Sequence, residues 1–155
     1  MKHSIGVLLA FLTAGSLLTA CNSGTPSAPP GTGSNCGGPP NQLEVLFPIP
    51  NSRRAPGNLA NVYVSTNGQL PSNNSYNFFL VQANGSSTGT SPFFGISKSQ
   101  IPTPHANPTY PNPIYYATSI PSSYIIGPSQ SVSLYWNIFG SGCAPHFLVS
   151  SFRTM

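Results

Sequence analysis

Acidic residues are almost absent from this chain. Among its 155 residues Glu44 is the only acid, and it alternates with Leu43 and Val45, which predicts a solvent-facing strand position. One carboxylate cannot supply the pair that most glycoside hydrolases use, and a Ser-His-Asp triad lacks its aspartate. Beyond residue 21 the chain has only two histidines and two cysteines, which are a poor supply of metal ligands. We therefore expect no enzyme, no metal and no cofactor.

Charged residues of either sign are scarce, and few long stretches lack proline or glycine. Charged residues make up 4% of the chain, and the five cations are scattered, with Arg53, Arg54 and Lys98 in apparent loops. Because no basic stripe is present, we expect no nucleic acid partner. The 18 prolines and 15 glycines exclude long helices, since proline lacks the backbone donor and clashes with the preceding turn.

Short apolar or alternating runs, each bounded by turn residues, fill residues 41–155. In Ser131–Ile138 the apolar residues recur at every second position, which is the period of a strand. The runs predict strands at Leu43–Ile49, Asn61–Thr66, Tyr76–Gln82, Pro92–Ile96, Pro113–Ser119, Ser131–Ile138 and Phe147–Thr154, with a weaker candidate at Ser123–Gly127. Seven or eight short strands predict an all-β protein built as a single antiparallel β-sandwich.

The only long apolar run lies at the start of the chain. Ile5–Leu18 follows Lys2 and His3 and carries no charge. As a helix it would span about 21 Å, which is short of the roughly 30 Å of a bilayer core. A run of this size after a positive start is typical of a secretory signal.

The next residues resemble the lipobox of bacterial lipoproteins, Leu18-Thr19-Ala20-Cys21. The resemblance implies a signal peptide at residues 1–20, cleaved before a Cys21 that receives lipid. We expect a flexible Gly/Ser/Pro tether behind the lipidated cysteine at residues 21–40, because Asn22–Asn35 has no charge and no large apolar residue to bury, and the sandwich at 41–155. The protein would then belong to the bacterial cell envelope, anchored by lipid to the outer membrane or to the outer face of the cytoplasmic membrane. The alternative is an ordinary secretory signal followed by a chance cysteine.

The cysteine count agrees with that interpretation. Three cysteines leave one over in an exported protein. If Cys21 carries lipid, Cys36 and Cys143 remain, and the oxidising compartment outside the cytoplasmic membrane favours a disulfide between them. Such a bond would fasten the start of the domain to the turn before its last strand. Alternatively, Cys36 belongs to the tether and bonds another molecule.

The succession of short strands and turn residues is similar to that of bacterial Ig-like and fibronectin type III-like domains. Phe47–Asn67 resembles their opening, and Phe147–Thr154 resembles their final strand. The resemblance implies an Ig-like or fibronectin type III-like sandwich that acts as a spacer, an adhesin or a carbohydrate-associated module. The chain departs from antibody domains because Cys36 precedes the first strand and Cys143 lies between the last two, so the disulfide that joins the two antibody sheets is not reproduced.

Residues 97–116 form the one stretch whose composition suggests a ligand surface. They contain five prolines together with His105, Tyr110, Tyr115 and Tyr116. Proline favours an extended polyproline-like chain, and tyrosine rings stack on sugars or dock peptides. Alternatively, the stretch is a stiff crossover between the two sheets with its rings lying back on the sandwich, and we favour this second interpretation.

These observations predict a non-catalytic, lipid-anchored envelope protein with a structural or interaction role. Its partners would be the membrane, through the anchor, and a protein or glycan of the cell envelope. The alternative function is a carbohydrate-binding module for cell-wall glycan that uses residues 97–116.

Overall fold

The computed structural model describes residues 37–40, 42–70, 76–138 and 147–155. In these parts of the chain there are eight strands and one short 3-10 helix at Lys98–Gln100. The strands are β1 (Glu44–Phe47), β2 (Asn61–Thr66), β3 (Tyr76–Gln82), β4 (Ser87–Gly89), β5 (Phe94–Ile96), β6 (Ile114–Ser119), β7 (Ser131–Ile138) and β8 (Phe147–Arg153). The predicted bounds of β2, β3 and β7 are confirmed, and the other four predicted strands are slightly shorter than expected.

Two details of the strand prediction are wrong. The weak candidate Ser123–Gly127 forms no strand; Ile126 enters the core from a loop while Ile125 is 80% exposed. Strand β4 was not predicted, because Ser-Thr-Gly contains no apolar residue to reveal it. It forms because the chain reverses through Gly85, whose φ of 88° is easily adopted by glycine, and then pairs with β3.

The strands make two antiparallel four-stranded sheets that pack face to face. The first sheet has the order β1-β2-β6-β5 and the second the order β4-β3-β7-β8. The predicted all-β antiparallel sandwich is therefore confirmed.

The main core lies between the sheets and is built around aromatic rings. Phe78 and Leu80 of β3 pair with Trp136 and Leu134 of β7, so four inward side chains meet on the second sheet. The ring of Phe93 stacks on Trp136 at 5.8 Å and meets Phe78 edge to face at 5.1 Å. Because each such burial contributes about 1.5–3 kcal/mol, this cluster dominates the stability of the sandwich.

The chain after β1 leaves the first sheet and runs beside β8 of the second. The Asn51 amide donates to the Ser151 carbonyl at 2.8 Å, and the Arg153 amide donates to the Ser52 carbonyl at 2.7 Å. The Ala55 amide then donates to the Arg153 carbonyl at 2.9 Å. This ladder covers an edge strand that would otherwise offer unpaired backbone groups to other chains.

Candidate functional site

Three of the predicted site residues lie outside the described part of the chain. They are Cys21, Cys36 and Cys143. Lipidation of the first and a disulfide between the other two therefore stay predictions.

The described residues that flank the predicted disulfide do lie together. A Cβ atom placed on Gly38 would lie 3.3 Å from Cζ of Phe147, so this glycine rests directly on the ring. Gly38 follows Cys36 by two positions, and Phe147 follows Cys143 by four.

Residues 97–113, the cover segment, join β5 to β6, which are neighbours in the first sheet. The interpretation as a crossover between the two sheets is therefore wrong. Instead the segment turns back over the outside of the first sheet, where the Ala106 amide donates to the Leu46 carbonyl of β1 at 3.0 Å. Leu46 is 1% exposed although it is not part of the core between the sheets.

Glu44 fastens the cover segment to β1. Its carboxylate accepts a hydrogen bond from the Thr109 amide at 2.9 Å and a second, shorter one from the Thr109 hydroxyl. Glu44 lies on the side of β1 away from the core, as its alternation with the buried Val45 predicted, and its side chain is half-buried with a specific partner. Hydrogen bonds to a charged acceptor are stronger than neutral ones, so the only acidic side chain stabilises the position of the cover segment.

Tyr110 lies back on the first sheet, as the favoured interpretation predicted. It is 9% exposed, and its hydroxyl faces that of Ser65 without forming a hydrogen bond of good geometry. Burial raises the pKa of Tyr110, the nearby Ser65 hydroxyl lowers it, and Glu44 and Tyr115 raise it further. A ring this buried has no free face on which a sugar could stack.

The four candidate residues do not line a single groove, although Tyr115 lies close enough to Tyr110 to raise its pKa. Tyr115 and Tyr116 are consecutive in β6, so their side chains point to opposite faces of the sheet. Tyr116 packs against the core, and its hydroxyl accepts a hydrogen bond from the Leu70 amide at 3.0 Å. His105 is half-buried, with Nδ1 3.1 Å from the Pro102 carbonyl oxygen. Ligand binding at this segment stays a prediction, with Tyr115 and His105 as its half-exposed members.

A groove that no sequence pattern predicts forms beside β8. It encloses about 470 Å³ and is lined by Asn51, Ser52, Arg53, Ser131, Ser151, Phe152 and Arg153. Its two arginines are far apart in sequence and meet only because residues 51–55 run beside β8. No local pattern could have revealed this pairing.

A second depression of about 460 Å³ is lined mainly by apolar residues of the loops around Leu59 and Ile126. In the part of the chain that the structure describes, no three His, Cys, Asp or Glu side chains lie close enough together to hold a metal ion. None of the helical structure described there is long and apolar enough to cross a bilayer.

Comparison of the chain with family models, with curated proteins and with solved structures finds no match.

Proposed function

We propose that the protein is a non-catalytic lipoprotein of the bacterial cell envelope. It is anchored through Cys21 and presents its β-sandwich for structural or interaction purposes. The observation that carries the proposal is the sequence Leu18-Thr19-Ala20-Cys21 at the end of a short apolar leader, followed by an uncharged stretch rich in Gly, Ser and Pro. A packed domain that begins at β1 fits the far end of such a tether.

The outer face of the second sheet supports an interaction role. Phe79 of β3 lies opposite Tyr135 of β7, and Tyr135 lies opposite Leu148 of β8, so the three form a row across the sheet. Leu148 is 58% exposed, and the cover segment lies over the other sheet. A row of apolar side chains of which two are half-buried and one is exposed can contribute to contacts with another molecule.

Carbohydrate binding through residues 97–116 is the alternative function. Half-exposed Tyr115 and His105 support it, while the burial of Tyr110 removes one of the rings that it needs. A glycan array comparing the parent with Tyr115→Ala tests this idea. Binding that disappears in the variant supports the alternative, and a parent that binds no glycan contradicts it.

Metabolic labelling with a fatty acid in a bacterial host tests the anchor. The parent should incorporate palmitate and remain with the membrane fraction, whereas Cys21→Ser should do neither. The matched control is Cys36→Ser, which removes another thiol and should be labelled like the parent. If Cys21→Ser is labelled and retained as well, the proposed anchor is wrong.

The same exported protein allows a test of the disulfide. Peptide mapping without reduction should recover Cys36 linked to Cys143. In the chain-entropy model a bridge that closes a loop of roughly 100 residues stabilises a domain by about 4–5 kcal/mol, so reduction should lower the free energy of unfolding markedly. Recovery of both residues as free thiols would rule the bridge out, and so would a bond from Cys36 to another molecule.

A further inference from the structure

The groove beside β8 concentrates cations in a molecule that has very few. Arg53 and Arg153 both line it, and Arg54 is the next residue along the chain. The chain has only five lysines and arginines in all, so three of them lie within this one region. Such a concentration favours an anionic ligand.

Backbone pairing fixes the position of both arginines. The Arg153 amide donates to the Ser52 carbonyl, and the Arg153 carbonyl accepts from the Ala55 amide. Arg53 therefore lies in a short segment whose two ends are hydrogen-bonded to the backbone of Arg153. In the second sheet Ser131 lies directly opposite Arg153. Backbone hydrogen bonds therefore fix the main chain at both arginines, while their side chains are exposed.

Hydroxyl groups complete the lining. Ser52, Ser131 and Ser151 all border the groove, and their hydroxyls can donate hydrogen bonds to an oxyanion. The single acidic side chain, Glu44, bonds Thr109 of the cover segment, and it is not among the residues that line the groove. No acidic side chain therefore competes with a ligand for these donors.

We infer that this groove binds a phosphate group carried by a larger anionic molecule of the cell envelope. The planar guanidinium group matches two oxygens of a phosphate, and two arginines and three serines line the groove. The groove is open and large, which suits a phosphate that belongs to a chain of repeating units. Binding of a phosphate group by the groove does not depend on lipidation of Cys21, whereas its assignment to a molecule of the cell envelope rests on the proposed function.

The position of the groove favours a polymer over a membrane lipid as the source of the phosphate. Gly38, on the tether side of the domain, contacts Phe147 at the start of β8, whereas Arg153 ends that strand. A strand of this length spans roughly 20 Å. The groove therefore lies toward the end of the sandwich that is away from the tether.

Titration of the full-length chain in uncharged detergent micelles tests the inference. Tripolyphosphate at low ionic strength should shift the NMR amide signals of Ser131, Ser151 and Arg153. Arg153→Gln should bind tripolyphosphate at least fivefold more weakly than the parent. The affinity of Arg153→Lys should lie between these two, because lysine keeps the charge but lacks the planar guanidinium group. The matched control is Lys98→Gln, which removes one charge elsewhere and should bind within twofold of the parent.

Three results would overturn the inference. The first is that tripolyphosphate leaves the groove signals unmoved. The second is that Lys98→Gln weakens binding as much as Arg153→Gln does, which would show an effect of net charge alone. The third is that micelles doped with phosphatidylglycerol shift these signals while tripolyphosphate does not, which would assign the groove to a membrane lipid.

Discussion

The outer faces of the two sheets have opposite environments. On the first sheet the cover segment lies over β1, and Leu46 is 1% exposed. On the second sheet Leu148 of β8 is 58% exposed. The same residue type is thus a structural side chain on one outer face and a free surface side chain on the other. The two leucines therefore differ in role, although Phe94 of β5, at the other edge of the first sheet, is also 45% exposed.

The cover segment adds a third layer to the sandwich, outside the first sheet. Ile101 and Tyr110 of the segment are buried, and so is Ala117 of β6, yet none of these residues belongs to the core between the sheets. Prolines keep the segment extended, which lowers the entropy lost when it is held in place. The residues that a ligand-binding hypothesis singled out therefore contribute in part to stability.

The largest effect should come from truncating the same residue type on the two outer faces. Leu46→Ala should lower the free energy of unfolding by about 3 kcal/mol, because it leaves a cavity beneath the cover segment. Leu148→Ala is the matched control and should change stability by no more than about 0.5 kcal/mol. Chemical denaturation measures both values. Equal losses for the two variants would remove the distinction between the faces.

A smaller effect should follow from Glu44→Gln. The amide keeps the shape of the side chain but loses the charge that strengthens its bonds with Thr109, so we expect a loss of about 1 kcal/mol. In a double-mutant cycle with Thr109→Ala, the two losses should add up to more than the loss in the double variant. Strictly additive losses would show that the two residues do not interact in solution.

The smallest effect at neutral pH should be that of Tyr110→Phe. The hydroxyl lacks a well-formed hydrogen bond, so its removal should change stability by less than about 1 kcal/mol. Burial raises the pKa of Tyr110 above its ordinary value of 10.0, so the folded chain holds this proton more tightly than the unfolded chain. The stability that this pKa difference contributes to the folded state is fully present below about pH 10 and is lost as the pH rises through the raised pKa.

Alkaline denaturation therefore separates Tyr110 from a tyrosine of the open face. Between about pH 9 and pH 11.5, Tyr110→Phe should lose less stability than the parent does. Tyr135→Phe, the control on the second sheet, leaves Tyr110 in place and should keep the parent's pH dependence. If the parent and Tyr110→Phe lose stability in parallel, the ring is not buried as described.

Most of the strands were predictable because strand signals are local. In β7 the alternation of Val132, Leu134 and Trp136 corresponds to three buried side chains that face the other sheet. Strand β4 escaped detection because its three small residues carry no such alternation, although the Asn84-Gly85 turn before it is a recognisable hairpin signal.

The surfaces were harder to predict because they depend on contacts between distant parts of the chain. Five prolines predict an extended segment but not the face on which it lies, which depends on Leu46 and Glu44 of β1. Likewise Arg53 and Arg153 meet only through backbone pairing along β8. Neither arrangement leaves a periodic pattern in the sequence.

Native-state hydrogen exchange of two amides tests most directly the claim that the cover segment is a packed layer. These are the amides of Ala106 and Thr109, which donate to Leu46 and Glu44 of β1. We predict that both exchange on the order of a hundredfold more slowly than in an unfolded chain, and that Leu46→Ala abolishes this protection while amides of β6 stay protected. Exchange of Ala106 and Thr109 at the unfolded rate in the parent would contradict that claim.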